Sequence, residues 1–272
     1  MIHKIPENLP ALRFGLETAV LDMKTTSQGL LYKTAFSKGT KGIIINGLIW
    51  MGEKQFMFEQ IKTKIENGFR CIKMKIGAID FQEEVSLLKY IRSQFSKDDI
   101  ELRVDANGAF SPNSALEKLK TLAQFDLHSI EQPIKQGQLD AMAKLCHTTP
   151  LAIALDEELI GINSIIEKEK LLSLINPQYI ILKPSLLGGL RSSEEWISIA
   201  KSLNIGWWAT SALESNIGLN AIAQWVSHIK TDMPQGLGTG QLFMNNVTSP
   251  LYLRGDRLHF EPSKKWDSIF TN

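Results

Sequence analysis

The residues with the most chemical potential in this chain lie in the stretch Arg70-Cys71-Ile72-Lys73-Met74-Lys75-Ile76-Gly77. Phe69, Cys71, Ile72, Met74 and Ile76 read as a short buried strand, and in a strand residues i and i+2 share a face. Lys73 and Lys75 therefore project together, while their neighbours turn into apolar packing. Two ammonium groups crowded on one buried face are expected to depress each other's pKa, which makes a lysine a usable base. A solvated edge strand is the plain alternative, and what recurs downstream argues against it. Apolar runs end on a charged residue again and again: residues 100–105 on Asp105, residues 127–131 on Glu131, residues 151–155 before Asp156, and residues 179–182 before Lys183.

An acidic residue after a strand can simply cap the next helix, and Asp156, followed by Glu157 and Glu158, is the most open to that reading. Three successive strand ends that deliver Asp, Glu and Asp are harder to explain as caps. In parallel α/β architectures chemistry gathers at the carboxyl ends of strands, so in a closed barrel the three converge. Three desolvated carboxylates repel unless a cation sits among them. An all-oxygen set with room for water and substrate suits Mg²⁺, with Mn²⁺ as the alternative divalent cation. Lysines on strands to either side would place the α-carbon of a bound carboxylate between two bases. Removing that proton gives an enediolate, whose charge the cation and the ammonium groups stabilise.

These residues need a frame, and the chain supplies one. After a helix at 14–23 and a polar, glycine-spotted stretch at 25–40, strands and helices alternate every 25–30 residues or so. Strands are expected at 42–50, 69–76, 100–105, 127–131, 151–155, 179–182 and 205–209. Helices are expected at 53–66, 81–95, from Pro112, at 139–147, from Asn163, at 190–203 and at 216–228. Gly236–Gly240 is read as the end of a short eighth strand. The fold class expected is α/β, a (β/α)₈-type barrel. An open doubly wound sheet is disfavoured because no G-x-G-x-x-G fingerprint follows the first strand.

The 272 residues, 43% of them hydrophobic, suffice for one large core. A net charge of +1 gives no reason to expect nucleic acid or an anionic membrane as partner. The two cysteines, Cys71 and Cys146, match no disulfide or zinc pattern and read as small buried hydrophobes. His3, His128, His147, His228 and His259 show no ligand spacing, and His128, three residues before Glu131, is expected to face away from it. Of Trp207 and Trp208, one is expected under a helix. With no apolar run long enough for a membrane span and no signal-peptide pattern, a cytoplasmic protein is expected.

The K-x-K strand (Lys73, Lys75), VDANGAF with Asp105, IEQP with Glu131, ALDE with Asp156 and LKPSLLGG with Lys183 together resemble the enolase superfamily, muconate-lactonizing-enzyme subgroup. Within it, FGLETA, INGLIW, TSALESNIGL and GLGTG look like the o-succinylbenzoate synthases of menaquinone biosynthesis. The resemblance implies a Mg²⁺-dependent syn dehydration of a succinyl-hydroxycyclohexadiene carboxylate, the small-molecule substrate. It implies Lys75 as general base, Lys73 as its aid at the substrate carboxylate, and Lys183 as electrostatic stabiliser on the opposite face. It gives Asp105, Glu131 and Asp156 as metal ligands, with Asn107 supporting them. Ser211, Gly238 and Thr239 are the candidates for the succinyl group. Racemisation or epimerisation of an N-acylamino acid or dipeptide is the alternative, since it uses the same lysines, and a catalytically weak barrel fragment is another. Against a dipeptide epimerase, the eighth strand carries Gly236-Leu237-Gly238-Thr239 rather than an Asp-x-Asp pair. The family pattern also implies a division into residues 1–41, the last helix and lead-in of a mostly absent capping domain; 42–240, the catalytic barrel; and 241–272, a tail packing beside barrel or cap. Oligomeric state is left open.

Overall fold

The computed structural model describes residues 5–25, 27–240 and 242–267; His3, Gln241 and the end of the expected tail lie outside them. Helix α1 (Pro10–Met23) begins a turn earlier than its apolar stripe suggests, because Pro10 occupies its first turn, where a missing N–H costs nothing. The apolar run from Gly42 divides into two short strands, β1 (Ile43–Ile44) and β2 (Gly47–Ile49). Then come α2 (Lys54–Glu66), β3 (Cys71–Lys75), α3 (Phe81–Gln94), β4 (Glu101–Asp105), α4 (Pro112–Ala123) and β5 (Ser129–Glu131). The series continues with α5 (Leu139–Thr148), β6 (Ile153–Leu155), a 3₁₀ turn (Glu157–Leu159), α6 (Ile165–Ile175) and β7 (Tyr179–Leu182). It ends with α7 (Leu190–Ser202), β8 (Gly206–Ala209), α8 (Asn216–Ile229), β9 (Leu251–Arg254) and β10 (Arg257–Phe260). Local chemistry sets several starts: Ser111 caps α4 through the Ser114 amide, and Ser164 with Glu167 forms a reciprocal capping box on α6.

Strands β2 to β8 form one parallel sheet in sequence order. The ring is completed by two residues. Gln235 bridges to Ile45 and Gly236 to Thr210, both in parallel sense. Backbone bonds close the ring on both sides: Asn46 donates to the Gln235 carbonyl and Gln235 to the Ile44 carbonyl, while Gly236 donates to Ala209 and accepts from Ser211. The fully buried side chain of Gln235 adds to this closure, accepting from the Ala209 amide at 2.7 Å and donating to the Met233 carbonyl at 2.6 Å. Strand β1 turns aside and pairs with β10, which pairs with β9, in a separate antiparallel sheet.

Parity then separates two kinds of interior. The outward residues Ile72, Met74, Leu102, Val104, Ile130, Ile153, Leu155, Ile180 and Leu182 join the main core beneath the helices. The inward face holds a separate small apolar layer of Ala154, Ile181 and Trp208. Below the site this layer is polar as well as aromatic. Arg103, 1% exposed, stacks on Trp208 at 4.2 Å, holds Glu101 at 2.7 Å and caps the Pro234 carbonyl at 3.0 Å. Trp208 thus lies inside the ring, while Trp207 approaches Trp225 of α8. Cys146 packs in the main core, but Cys71 faces inward with the lysines and donates to Glu101 at 3.4 Å. His128 precedes its strand, so strand parity does not govern it, and its ring rests against Tyr179 and Trp208. No helix among the described residues is long and apolar enough to cross a membrane.

Candidate active site

Register brings the expected residues onto one face. Lys75 pairs with Asp105, and Asp105 with Glu131, across β3, β4 and β5. Lys73 and Lys75 do share a face, and both donate to Asp105 Oδ2, at 2.9 and 3.0 Å. Lys73 also pairs with Glu131 Oε2, and Lys183 pairs with Asp156 Oδ2. Lys75 and Lys183 sit four strands apart in the ring of eight, hence on opposite sides of its mouth.

Burial makes these contacts electrostatically decisive. Burial alone pushes the Lys73 ammonium down, but Asp105 and Glu131 outweigh it and hold its pKa above the ordinary lysine value. The expected depression by crowding is therefore not found at Lys73, because the nearest groups are carboxylates rather than the second lysine. Lys183 is likewise raised: burial opposes its charge, while Asp156 and Glu131 favour it more. Burial also works against the Asp105 carboxylate, yet Lys73 and Lys75 hold it well below its usual range. Glu131 goes the other way, raised well above the carboxylate range by burial and by Asp105.

Whether these residues suit a divalent cation can be tested on their own atoms. The set is all oxygen, as Mg²⁺ prefers. Glu131 Oε1 is buried and has no hydrogen-bond partner. Both features fit. As arranged, no group of three acidic, cysteine or histidine side chains among the described residues is gathered to hold an ion. Lysines occupy the carboxylate oxygens instead, so binding of a cation requires those contacts to give way.

A cavity of about 650 Å³ opens above, with Lys73, Lys75, Asp105 and Lys183 in its lining. Asn107, in the left-handed region at φ 42°, accepts from Lys75 at 2.6 Å and donates to Glu157 at 3.0 Å. Ser211, Gly238 and Thr239 all line the cavity. The Ser211 hydroxyl donates to Glu214 at 2.6 Å and accepts from Thr239 at 2.9 Å, so both hydroxyl protons are spent within the protein.

Sequence reasoning missed several polar residues that the fold brings to the site. Glu214 gathers Ser185, Ser211 and the Ala212 amide. Gln132 and Glu158 brace the turn that carries Asp156. Asn46 and Thr210 line the cavity with a buried side-chain oxygen that lacks any partner. Glu214 and Thr210, Gln132 and Asn46 all lie inside the quoted stretches TSALESNIGL, IEQP and INGLIW, where other residues carry the more obvious chemistry.

Comparison with known families decides the class. The model of the enolase C-terminal domain-like family matches residues 57–254. The chain belongs to that family. Enolase-superfamily sites in general use a Lys or His base with divalent metal. The chain is 56% identical over 249 residues to an o-succinylbenzoate synthase from Desulfotalea psychrophila, covering 92% of this chain and 67% of that protein. The crystal structure of MenC from the same organism superposes with a TM-score of 0.86 at 54% identity, over 92% of this chain and 69% of that one. A muconate lactonizing enzyme shares the fold, with a TM-score of 0.81 at 22% identity over 98% of this chain and 75% of its own. The chain thus spans about two thirds of the length of the Desulfotalea protein. The enolase-like barrel expected from the sequence is borne out, as is the likeness to the synthases.

Proposed function

We propose that this chain is an o-succinylbenzoate synthase, a hydro-lyase that dehydrates a succinyl-hydroxycyclohexadiene carboxylate to o-succinylbenzoate. The observation that carries the reading is the pairing of two lysine groups, Lys73 with Lys75 and Lys183 opposite, over three carboxylates at adjacent strand ends. The extent of identity to a synthase favours this substrate over its relatives.

In the proposed reaction Lys75 takes the proton α to the substrate carboxylate, and the C–H electron pair moves toward that carboxylate. The same ammonium then gives its proton to the hydroxyl leaving the adjacent ring carbon from the same face. Water departs and the ring becomes aromatic. Lys73, buried beneath, faces the carboxylate end, and Lys183 faces the far side, where its fixed charge lowers the energy of the developing anion. Asn107 holds the Lys75 ammonium in place. Asp105, Glu131 and Asp156 would hold Mg²⁺, which would polarise the substrate carboxylate and take over the negative charge that now engages the lysines. Asn46 and Thr210 line the same cavity as Ser211, Gly238 and Thr239, which together form the wall that would receive the succinyl arm.

The test is substrate turnover with Mg²⁺, followed by loss of diene absorbance. Turnover should vanish with EDTA and fall by about 10²–10⁴-fold in Lys75→Ala. Exchange of an α-proton of an N-acylamino acid or dipeptide in D₂O, without dehydration of the diene, would instead establish the racemase reading. A protein that bound no divalent cation would defeat both.

A further inference from the structure

Gln132 follows Glu131 directly and is wholly buried, with a left-handed backbone at φ 38°. Glycine would adopt that backbone without strain, so the side chain has to account for the glutamine. A carboxamide offers two donors and two acceptor sites, and all four are used here. Oε1 accepts from the amides of Asp156 at 3.2 Å and Glu158 at 3.3 Å. Nε2 donates to the Ile134 carbonyl at 3.1 Å and to Glu158 Oε2 at 3.0 Å. The other Glu158 oxygen accepts from the Gly137 amide at 2.8 Å.

The backbone of Gln132 ties in the remaining strand ends. Its amide donates to the Ala154 carbonyl at 3.0 Å, two residues before Asp156. Its carbonyl accepts from Gly108 at 2.7 Å, fixing the loop that follows Asp105 and carries Asn107. One residue therefore touches all three segments that end in Asp105, Glu131 and Asp156.

We infer that Gln132 is a positioning residue, which with Glu158 sets the spacing of the three carboxylates and so tunes their affinity for a divalent cation. The inference rests on the proposed metal-binding reading. Outer partners of this kind are ordinarily worth about 10–100-fold in metal affinity. Asp156 shows the dependence most directly: its side chain follows from a backbone amide whose partner is the Gln132 carboxamide. A Glu at position 132 would lose the donors to Ile134 and Glu158 and set two carboxylates against each other. Exchanging the pair restores the donor–acceptor contact between the two side chains, while a carboxylate oxygen replaces the donor that faced the Ile134 carbonyl.

The experiment measures Mn²⁺ dissociation constants by electron paramagnetic resonance, with no substrate, alongside the melting temperature of the metal-free protein. The variants are Gln132→Ala, Gln132→Glu, the exchange Gln132→Glu/Glu158→Gln, and Asp156→Asn as the control on the ligand itself. Gln132→Ala and Gln132→Glu should weaken Mn²⁺ binding by about 10–100-fold, and the exchange should return it to within roughly threefold of wild type. A role confined to holding the fold would lower the melting temperature and leave Mn²⁺ affinity alone; that result overturns the inference. Should the single variants fail to fold, the exchange decides: a folded exchange variant with Mn²⁺ affinity more than about 10-fold weaker than wild type also overturns it. If wild type binds no Mn²⁺, or Asp156→Asn binds it as well as wild type does, the metal reading fails and the inference falls with it. Wild type and Gln132→Ala binding alike, with Asp156→Asn impaired, defeats the inference alone.

Discussion

Replacing Lys73 by Met tests the electrostatic architecture of the site without reference to turnover. Lys73 is 5% exposed, and it bridges Asp105 and Glu131, which are 1% and 2% exposed. Methionine fills much the same volume along the stem but leaves two buried carboxylates facing each other. Removing one partner of a buried ion pair ordinarily costs about 3–5 kcal/mol. At roughly 2–3 °C per kcal/mol for a chain of this size, the metal-free protein should melt roughly 6–15 °C lower. The assay is circular dichroism or dye-based melting in EDTA near neutral pH. Lys75→Met should cost less, because Asp105 keeps Lys73 and Asn107 is more exposed to solvent. The double variant Lys73→Met/Glu131→Gln should recover a substantial part of the loss, since Asp105 keeps Lys75 and the carboxylate left without its ion-pair partner is gone. Melting of Lys73→Met within about 2 °C of wild type, or a double variant no better than the single one, would refute the reasoning.

Two further outcomes follow from other buried polar groups. Glu84 is buried, accepts from the Gly77 amide at 2.6 Å in the loop after Lys75, and has one oxygen without a partner; burial pushes its carboxyl up despite the backbone amides at Gly77, Ile79 and Ala78. A raised carboxyl favours the fold fully below its unfolded pKa of about 4.3 and loses that contribution as pH rises through the folded value, so denaturant titrations should show Glu84→Gln gaining on wild type as pH rises from 4 to neutrality. Arg103→Met removes the cap on Pro234, next to the two residues that close the ring, and should cost about 2 kcal/mol, less than a fully buried pair because Glu101 is partly solvated. Hydrogen exchange should then quicken at Gln235 and Gly236, and unchanged protection there would mean that Arg103 does not hold the closure.

Much of the site was legible because two simple periodicities carry it. The i, i+2 rule put Lys73 and Lys75 on one face, and the repeated ending of apolar runs on charged residues marked Asp105, Glu131, Asp156 and Lys183. Helix starts followed from Ser111-Pro112 and Ser164, whose capping chemistry is local. The run from Gly42 reads as one strand because β-favouring residues dominate it on both sides of Asn46-Gly47. Only the pairing of β1 with β10, more than two hundred residues away in sequence, shows that it divides. His128 lies one residue before β5, and its ring rests on Tyr179 and Trp208.

The sequence by itself determined the alternation of elements, the side of the barrel on which chemistry gathers, and the residue types that could perform it. These are properties of local spacing and of side-chain chemistry. Tertiary structure alone decided who neutralises whom. Lys73 is held charged by Asp105 and Glu131, although crowding by Lys75 would predict the reverse. The hydroxyls of Ser211 and Thr239 are spent on a chain leading to Glu214, while Asn46 and Thr210 remain unspent. Gln132 gathers three strand ends that lie up to fifty residues apart. The physical reason is the same each time: in a desolvated interior the free energy of a polar group depends on the few partners within hydrogen-bond reach, and strands far apart in the chain supply them.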